Sequence, residues 1–209
     1  DGIWVTCTMN DLLLKVDWTG RVIADWEWRH DKNLTSEFGL RHLPGINRDL
    51  DYRNPETHRG GLFNTIHLNA VNRGPEGILL SFGRVLSPTE YRKARIGRVL
   101  GKIAKSLGIK RRRNVGTKQR IKASMPANKI DGSSSAIVLL REDNSAKILK
   151  RITDISVPNH NVIQVENSLI YNDSNNSNVV AAEMDQNGYD RKVKIPGKPG
   201  FVRGLAQLN

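Results

Sequence analysis

Outside residues 88–134 the chain alternates short apolar runs with turn residues, the pattern of antiparallel strands. Twelve such runs occur, at residues 2–8, 11–17, 21–28, 64–72, 77–84, 135–141, 145–152, 160–166, 168–174, 178–185, 190–195 and 200–207. Helix signals are scarce among them. The pattern predicts an all-β fold, with an immunoglobulin-like sandwich as the structural alternative.

The runs repeat in groups of four. His67-Leu-Asn-Ala-Val, then Gly77-Ile-Leu-Leu-Ser-Phe-Gly, then Ala136-Ile-Val-Leu-Leu, then Ala146-Lys-Ile-Leu match His160-Asn-Val-Ile, Ser168-Leu-Ile-Tyr, Asn178-Val-Val-Ala and Arg191-Lys-Val-Lys. The first three runs of the chain match the last three steps of that order. From His160 to the next equivalent opening at Phe201 is about 41 residues, a period expected of four-stranded propeller blades and one that argues against the sandwich. Asp17 to Gly20 and Asp185 to Gly188 have a D-x-x-G turn spacing between the third and fourth runs, whereas the middle unit, with Asp143, Asn144 and Ser145, lacks the glycine.

His67 and Asn69 before Val71, with Leu79, Leu80 and Ser81, and His160 and Asn161 before Val162, with Tyr171, Asp173 and Ser174, resemble blade openings in β-propeller proteins of the NHL and arylsulfotransferase-like kind. Gly200 to Ala206 is similar to a blade opening in a group of uncharacterised bacterial propellers. The resemblance covers roughly two thirds of the chain and omits 29–63 and the basic window. It implies about three blade-equivalents: the outer three strands of one blade, two whole blades and the inner strand of the next. Propellers close with about four to eight blades, so the expectation is a piece of a larger propeller, completed by further blades or another chain.

The charge is local. Residues 90–122 hold thirteen Lys or Arg against one acid, which is the whole formal net charge of +12; the other 176 residues balance at twenty and twenty. A neutral body thus carries a basic excursion. Within it Ile96, Val99, Leu100, Ile103, Ala104 and Leu107 recur at the spacing of one helix face after a start at Pro88, Thr89 and Glu90, while Arg95, Arg98, Lys102 and Lys105 occupy the remainder and Lys110, Arg111, Arg112 and Arg113 follow. Gly97, Gly101 and Gly108 weaken that helix. Either its apolar face packs on the body with its charges solvated, or it contacts an anionic surface. Lipid headgroups are favoured over nucleic acid, because Tyr91 is the sole aromatic residue in the window. The division is 1–87 (blades with a long cap loop, 29–63), 88–134 (basic amphipathic insertion) and 135–209 (blades continued), with a cytoplasmic or membrane-peripheral location favoured.

If the propeller resemblance holds, His67, Asn69, His160, Asn161 and Arg203 come from consecutive inner strands and converge on a central channel. The imidazoles of His67 and His160 would then be the reacting groups, Asn69 and Asn161 the ligand-binding amides and Arg203 the anion clamp. The alternative role of the His-Asn pairs is to tie neighbouring blades together through side-chain to backbone bonds. His67 and Asn69, two apart, share a strand face, whereas adjacent His160 and Asn161 face opposite ways. No HExxH, P-loop, CxxC or GxSxG motif is present, no metal is called for, and no residue pattern specifies a cofactor. The chain therefore reads as a propeller ligand-binding or interaction module with a basic anion-contacting insertion, or alternatively as a lyase- or sulfotransferase-like propeller enzyme. Cys7 is expected to be an inert core thiol. Trp4, Trp18, Trp26 and Trp28 are expected to pack in the core or between blades, with a carbohydrate-stacking surface as the alternative.

Overall fold

The computed structural model describes residues 1–47, 64–107, 134–153, 159–174, 176–184, 190–196 and 204–205. Eleven of the twelve apolar runs are strands: β1 (Ile3–Cys7), β2 (Leu12–Val16), β3 (Val22–Glu27), β4 (Leu68–Gly74), β5 (Gly77–Val85), β6 (Ser134–Leu140), β7 (Ala146–Ile152), β8 (His160–Val165), β9 (Ser168–Asp173), β10 (Asn178–Glu183) and β11 (Arg191–Lys194). Of the twelfth run only Gly204 and Leu205 are described, and neither is in a strand. The described strands form three antiparallel meanders, ordered β1-β2-β3, β4-β5-β6-β7 and β8-β9-β10-β11. The fold is mostly β: the first three runs form a three-stranded sheet and the two full groups of four form the four-stranded sheets.

Turn geometry explains why the middle repeat manages without its glycine. In the first sheet Asp17 N–H donates to the Arg21 carbonyl and Gly20 N–H to the Asp17 carbonyl. In the second, Arg141 N–H donates to Ser145 and Asn144 N–H to Arg141. The backbone bonding thus aligns Asp17 with Arg141 and Gly20 with Asn144, rather than Asp17 with Asp143. Both Gly20 (φ 86°) and Asn144 (φ 63°) are left-handed, and Asn is the non-glycine residue that tolerates this best.

The second sheet lies between the other two. One face, through Leu80, Phe82, Ala136, Val138 and Leu140, packs on Leu13, Trp26 and Trp28 of the first unit. The other, through Leu79, Ile137, Leu139 and Ile152, packs on Val162, Leu169, Tyr171, Val180 and Ala182 of the third. Burial on both faces is the reason β5 and β6 read as nearly unbroken apolar runs, where a strand with one wet face would alternate.

Two short helical elements follow β3 that strand periodicity did not predict, a 3-10 turn (Trp28–His30) and helix α1 (Lys32–Glu37). The signal for α1 is Asp31, whose Oδ1 accepts the Leu34 N–H at 2.9 Å as an N-cap. They drive Trp28, Leu34, Phe38 and Leu40 into the first core, so the start of the presumed cap loop is core structure; 48–63 lie outside the described residues. Trp28, Phe38 and Phe82 pack edge-on or tilted with centroids 6.0–6.3 Å apart. Trp26 and Trp28 are buried as expected, whereas Trp18 is 74% exposed at the β2–β3 turn. Cys7 is half-buried, and burial raises its thiol pKa.

The remaining helix, α2 (Pro88–Ser106), begins where the sequence places it. Ser87 and Glu90 form a reciprocal capping box, Glu90 N–H to Ser87 Oγ at 3.2 Å and Ser87 N–H to Glu90 Oε2 at 2.9 Å, with Pro88 at the first helical position. Phe82 is fully buried at the centre of the aromatic cluster, so Phe82→Ala is expected to lower unfolding free energy by about 3–5 kcal/mol, read from urea titration followed by tryptophan fluorescence.

Candidate functional site at the sheet junctions

At the edges of the sheets, polar side chains bind backbone that lies outside their own sheet. At the first junction Asp11, in the β1–β2 turn with φ 52°, accepts hydrogen bonds from the Thr65 N–H and from the Ile66 (2.9 Å) and Leu68 (3.1 Å) N–H groups, and from the Thr65 hydroxyl at 3.1 Å. At the second, the Asn69 amide donates to the Asn159 carbonyl at 2.6 Å, and Asn159 N–H donates to the Gly83 carbonyl at 3.0 Å. At the third, Asn172 Nδ2 donates to the Gly204 carbonyl at 3.0 Å. Gly83 is required by this approach: a Cβ there would lie 2.6 Å from the Asn159 carbonyl oxygen and against the Asn69 amide.

This architecture brings the predicted histidines together. The rings of His67 and His160 meet edge to face with centroids 6.1 Å apart, across 93 positions of sequence. His160 is buried and its Nδ1 lies 2.7 Å from the Oγ of Ser174, itself fully buried. Asn64 Nδ2 approaches His67 Nδ1 at 3.3 Å. Strand alternation did not set these directions. His67 is left-handed (φ 50°) and precedes β4, Asn69 sits at a register shift between Leu68 and Ala70, and Asn161 (φ 54°) is bulged between His160 and Val162. A bulge re-aims side chains relative to a regular pleat.

The neighbourhood is polar. Asn159, His160, Asn172, Asp173 and Ser174, in or directly flanking the paired strands β8 and β9, are all buried. Both side-chain atoms of Asn159, and the Oδ1 atoms of Asn64, Asn69 and Asn172, have no hydrogen-bond partner among the described residues. Because Asn69 and Asn172 direct Nδ2 at carbonyl oxygens, their free ends are acceptors. Buried polar atoms are paired in the great majority of cases, so these asparagines depart from the usual pattern. Among the described residues no group of three or more His, Cys, Asp or Glu side chains is arranged to hold a metal ion.

No family model, curated protein or solved structure matches this chain. The site is therefore interpreted from its geometry.

Asn159, Asn172 and Gly83 were not singled out by sequence, nor was the buried ionic group behind the first junction. Arg29 spans it, with Nη1 2.9 Å from the Asn10 carbonyl and 3.4 Å from Glu27, and Nη2 3.7 Å from Asp11; all three charged side chains are almost wholly buried. The exposed His30 ring lies 3.9 Å from Glu27. Of the anion-contacting set, Arg95 is exposed on α2, and Arg98, Lys102 and Lys105 occupy positions within that helix. Lys110, Arg111, Arg112, Arg113 and the proposed clamp Arg203 lie outside the described residues.

Burial pushes Asp11 up to about 6, against the pull of the Ile66 N–H, the Arg29 charge and the Leu68 and Thr65 N–H groups. A carboxyl whose pKa is higher folded than unfolded binds its proton more tightly in the native state, so its stabilising contribution is full below about pH 4 and is lost as pH rises through about 6. The difference approaches 3 kcal/mol. Urea unfolding of wild type and Asp11→Asn between pH 4 and 8 is expected to show wild type losing stability relative to the variant as pH rises, with a flat difference above about pH 7.

Proposed function

We propose that the three sheets are consecutive blades of a β-propeller, and that this portion of it is a ligand-binding or interaction module whose site is the polar junction around His67, Asn69, Asn159 and His160. The recurrence of one junction carries the reading. β1 packs on β4 as β5 packs on β8, the first two sheets capture the backbone entering the next through Asp11 or through Asn69 with Gly83, and Asn172 of the third sheet binds the Gly204 carbonyl. One sheet-to-sheet step used repeatedly generates a ring. Three blades leave the ring open, so further blades or another chain complete it, covering edges that would otherwise aggregate.

The ligand class follows from the unmet acceptors of Asn64, Asn69, Asn159 and Asn172: a small molecule rich in hydrogen-bond donors, such as a polyol or amine, held beside two imidazoles. Asn161 lies in the same bulge and Arg203 in the run that follows; in this reading Asn161 supplies a further amide and Arg203 an anion clamp. The contact between His160 and Ser174, with His67 against the same imidazole, favours a second reading in which His67 or His160 acts as general base or nucleophile in lyase or group-transfer chemistry.

Thermal-shift screening of polyols, amines, sulfate esters and lactones tests both. Stabilisation of wild type that is lost in His67→Ala and Asn69→Ala, with both variants still cooperatively folded, is the result expected of a binding module. Turnover of an ester or lactone, lost in His67→Ala while binding persists, would replace it with the enzyme. Equal shifts in wild type and variants for every compound would place binding elsewhere. A compact monomer of these 209 residues in sedimentation velocity, with one closed sheet system, would overturn the open-ring reading.

A further inference from the structure

Among the described residues, several exposed large aliphatic side chains gather on α2. Its first turns are fixed to the body: Tyr91 is buried with its hydroxyl donating to the His42 carbonyl at 3.1 Å, Ala94 packs on the first core, and Glu90 holds Arg84 at 2.8 Å as well as capping the helix. Successive helical residues turn by about 100°, which puts Tyr91 and Ala94 on one side and Ile96, Val99, Leu100 and Ile103 on the opposite one. Those four are 49–60% exposed, and Leu107, just past the helix end, is 68% exposed. The helix therefore binds the body by a different face from its main apolar stripe, and the stripe is directed away from the β-sheets. Arg92 and Arg95 line the same surface as Ile96, Val99 and Leu100. The helix holds six Lys or Arg against Glu90 alone.

We propose that α2 is an in-plane anchor that docks the protein on an anionic lipid bilayer, with Ile96, Val99, Leu100 and Ile103 entering the headgroup boundary and Arg92, Lys93 and Arg95 meeting lipid phosphates. This inference stands whether or not the sheets are propeller blades. An apolar stripe within a basic helix has the chemistry of an interfacial anchor, apolar burial combined with attraction to anionic headgroups. A second copy would bring two strongly basic helices together and repel. An acidic protein that wraps a helix needs its whole circumference, and here the Tyr91 side is taken up by the body. Single-stranded nucleic acid is bound by stacking on aromatic rings, and the one aromatic residue of the helix is Tyr91, which is buried. A plane reached by one outward face fits the exposed geometry. Among the described residues no helix is long and apolar enough to cross a membrane, so the contact is one of lying on the surface.

The test is co-sedimentation of the 209-residue chain with phosphatidylcholine vesicles, with and without phosphatidylserine. Wild type is expected in the pellet with the anionic vesicles only. Ile96→Gln with Leu100→Gln is expected to weaken binding at least tenfold, and replacing Arg92, Lys93 and Arg95 by Gln to weaken it by about fivefold per charge removed. Both variants should keep the wild-type urea midpoint, because the substituted side chains are exposed. Equal recovery of wild type in the supernatant with both vesicles would overturn the proposal, as would anionic-vesicle binding unaffected by either variant. A wild-type dimer that Ile96→Gln with Leu100→Gln converts to monomer would assign the face to a second copy instead.

Discussion

The arrangement of the three sheets depends on polar capture of backbone across each sheet boundary. Apolar burial brings the sheets face to face, but hydrophobic contact has no direction and would permit sliding. Asp11 removes that freedom by accepting hydrogen bonds from the backbone N–H groups of Thr65, Ile66 and Leu68 at once, and Asn69 and Asn172 each bind one carbonyl at the following boundaries. These bonds also fix the chain on either side of His67 and just before His160, so the same contacts that set the sheet positions set the distance between the two imidazoles.

The second sheet carries the mechanical load of this arrangement because both its faces are dry. Its β5 supplies Phe82 to one core and Leu79 to the other, and Gly83, in the same strand, leaves room for Asn69 and Asn159 to meet. A single strand thus contributes to two cores and one polar junction. The buried ionic group of Asp11, Arg29 and Glu27 brings a cation and two carboxylates out of water together. Such a group is justified less by net stability than by the geometry it imposes, since each member is satisfied only when the others are in place.

The helix α2 separates the two roles of an amphipathic segment. Its base uses a cap, a buried tyrosine and a small residue to attach to the body, and its outer turns present large aliphatic side chains to the surroundings. A rigid attachment of this kind sets the angle at which the β body meets whatever the helix touches. Of the basic excursion, α2 is seated on the neutral body through Tyr91 and Ala94 and leaves Ile96, Val99, Leu100 and Ile103 exposed.

Strand content and sheet grouping were legible in the sequence because they follow from local patterning: period-two alternation, turn residues and a repeat of four runs. The start of α2 was equally legible at Pro88, Thr89 and Glu90, although the cap residue Ser87 was not singled out. The expectation that His67 and His160 meet came from the resemblance of their runs to propeller blade openings. What sequence did not disclose were properties created between elements. The role of Asp11 depends on backbone 54 to 57 positions away, and the importance of Gly83 depends on an asparagine from a neighbouring strand and a carbonyl from the next sheet. Bulges at Asn69 and Asn161 broke the alternation from which side-chain directions were inferred. The helical periodicity of 88–107 established that an apolar face exists, but only the seating of Tyr91 and Ala94 against the body decided that this face turns outward, because orientation about a helix axis is set by the partner it packs on.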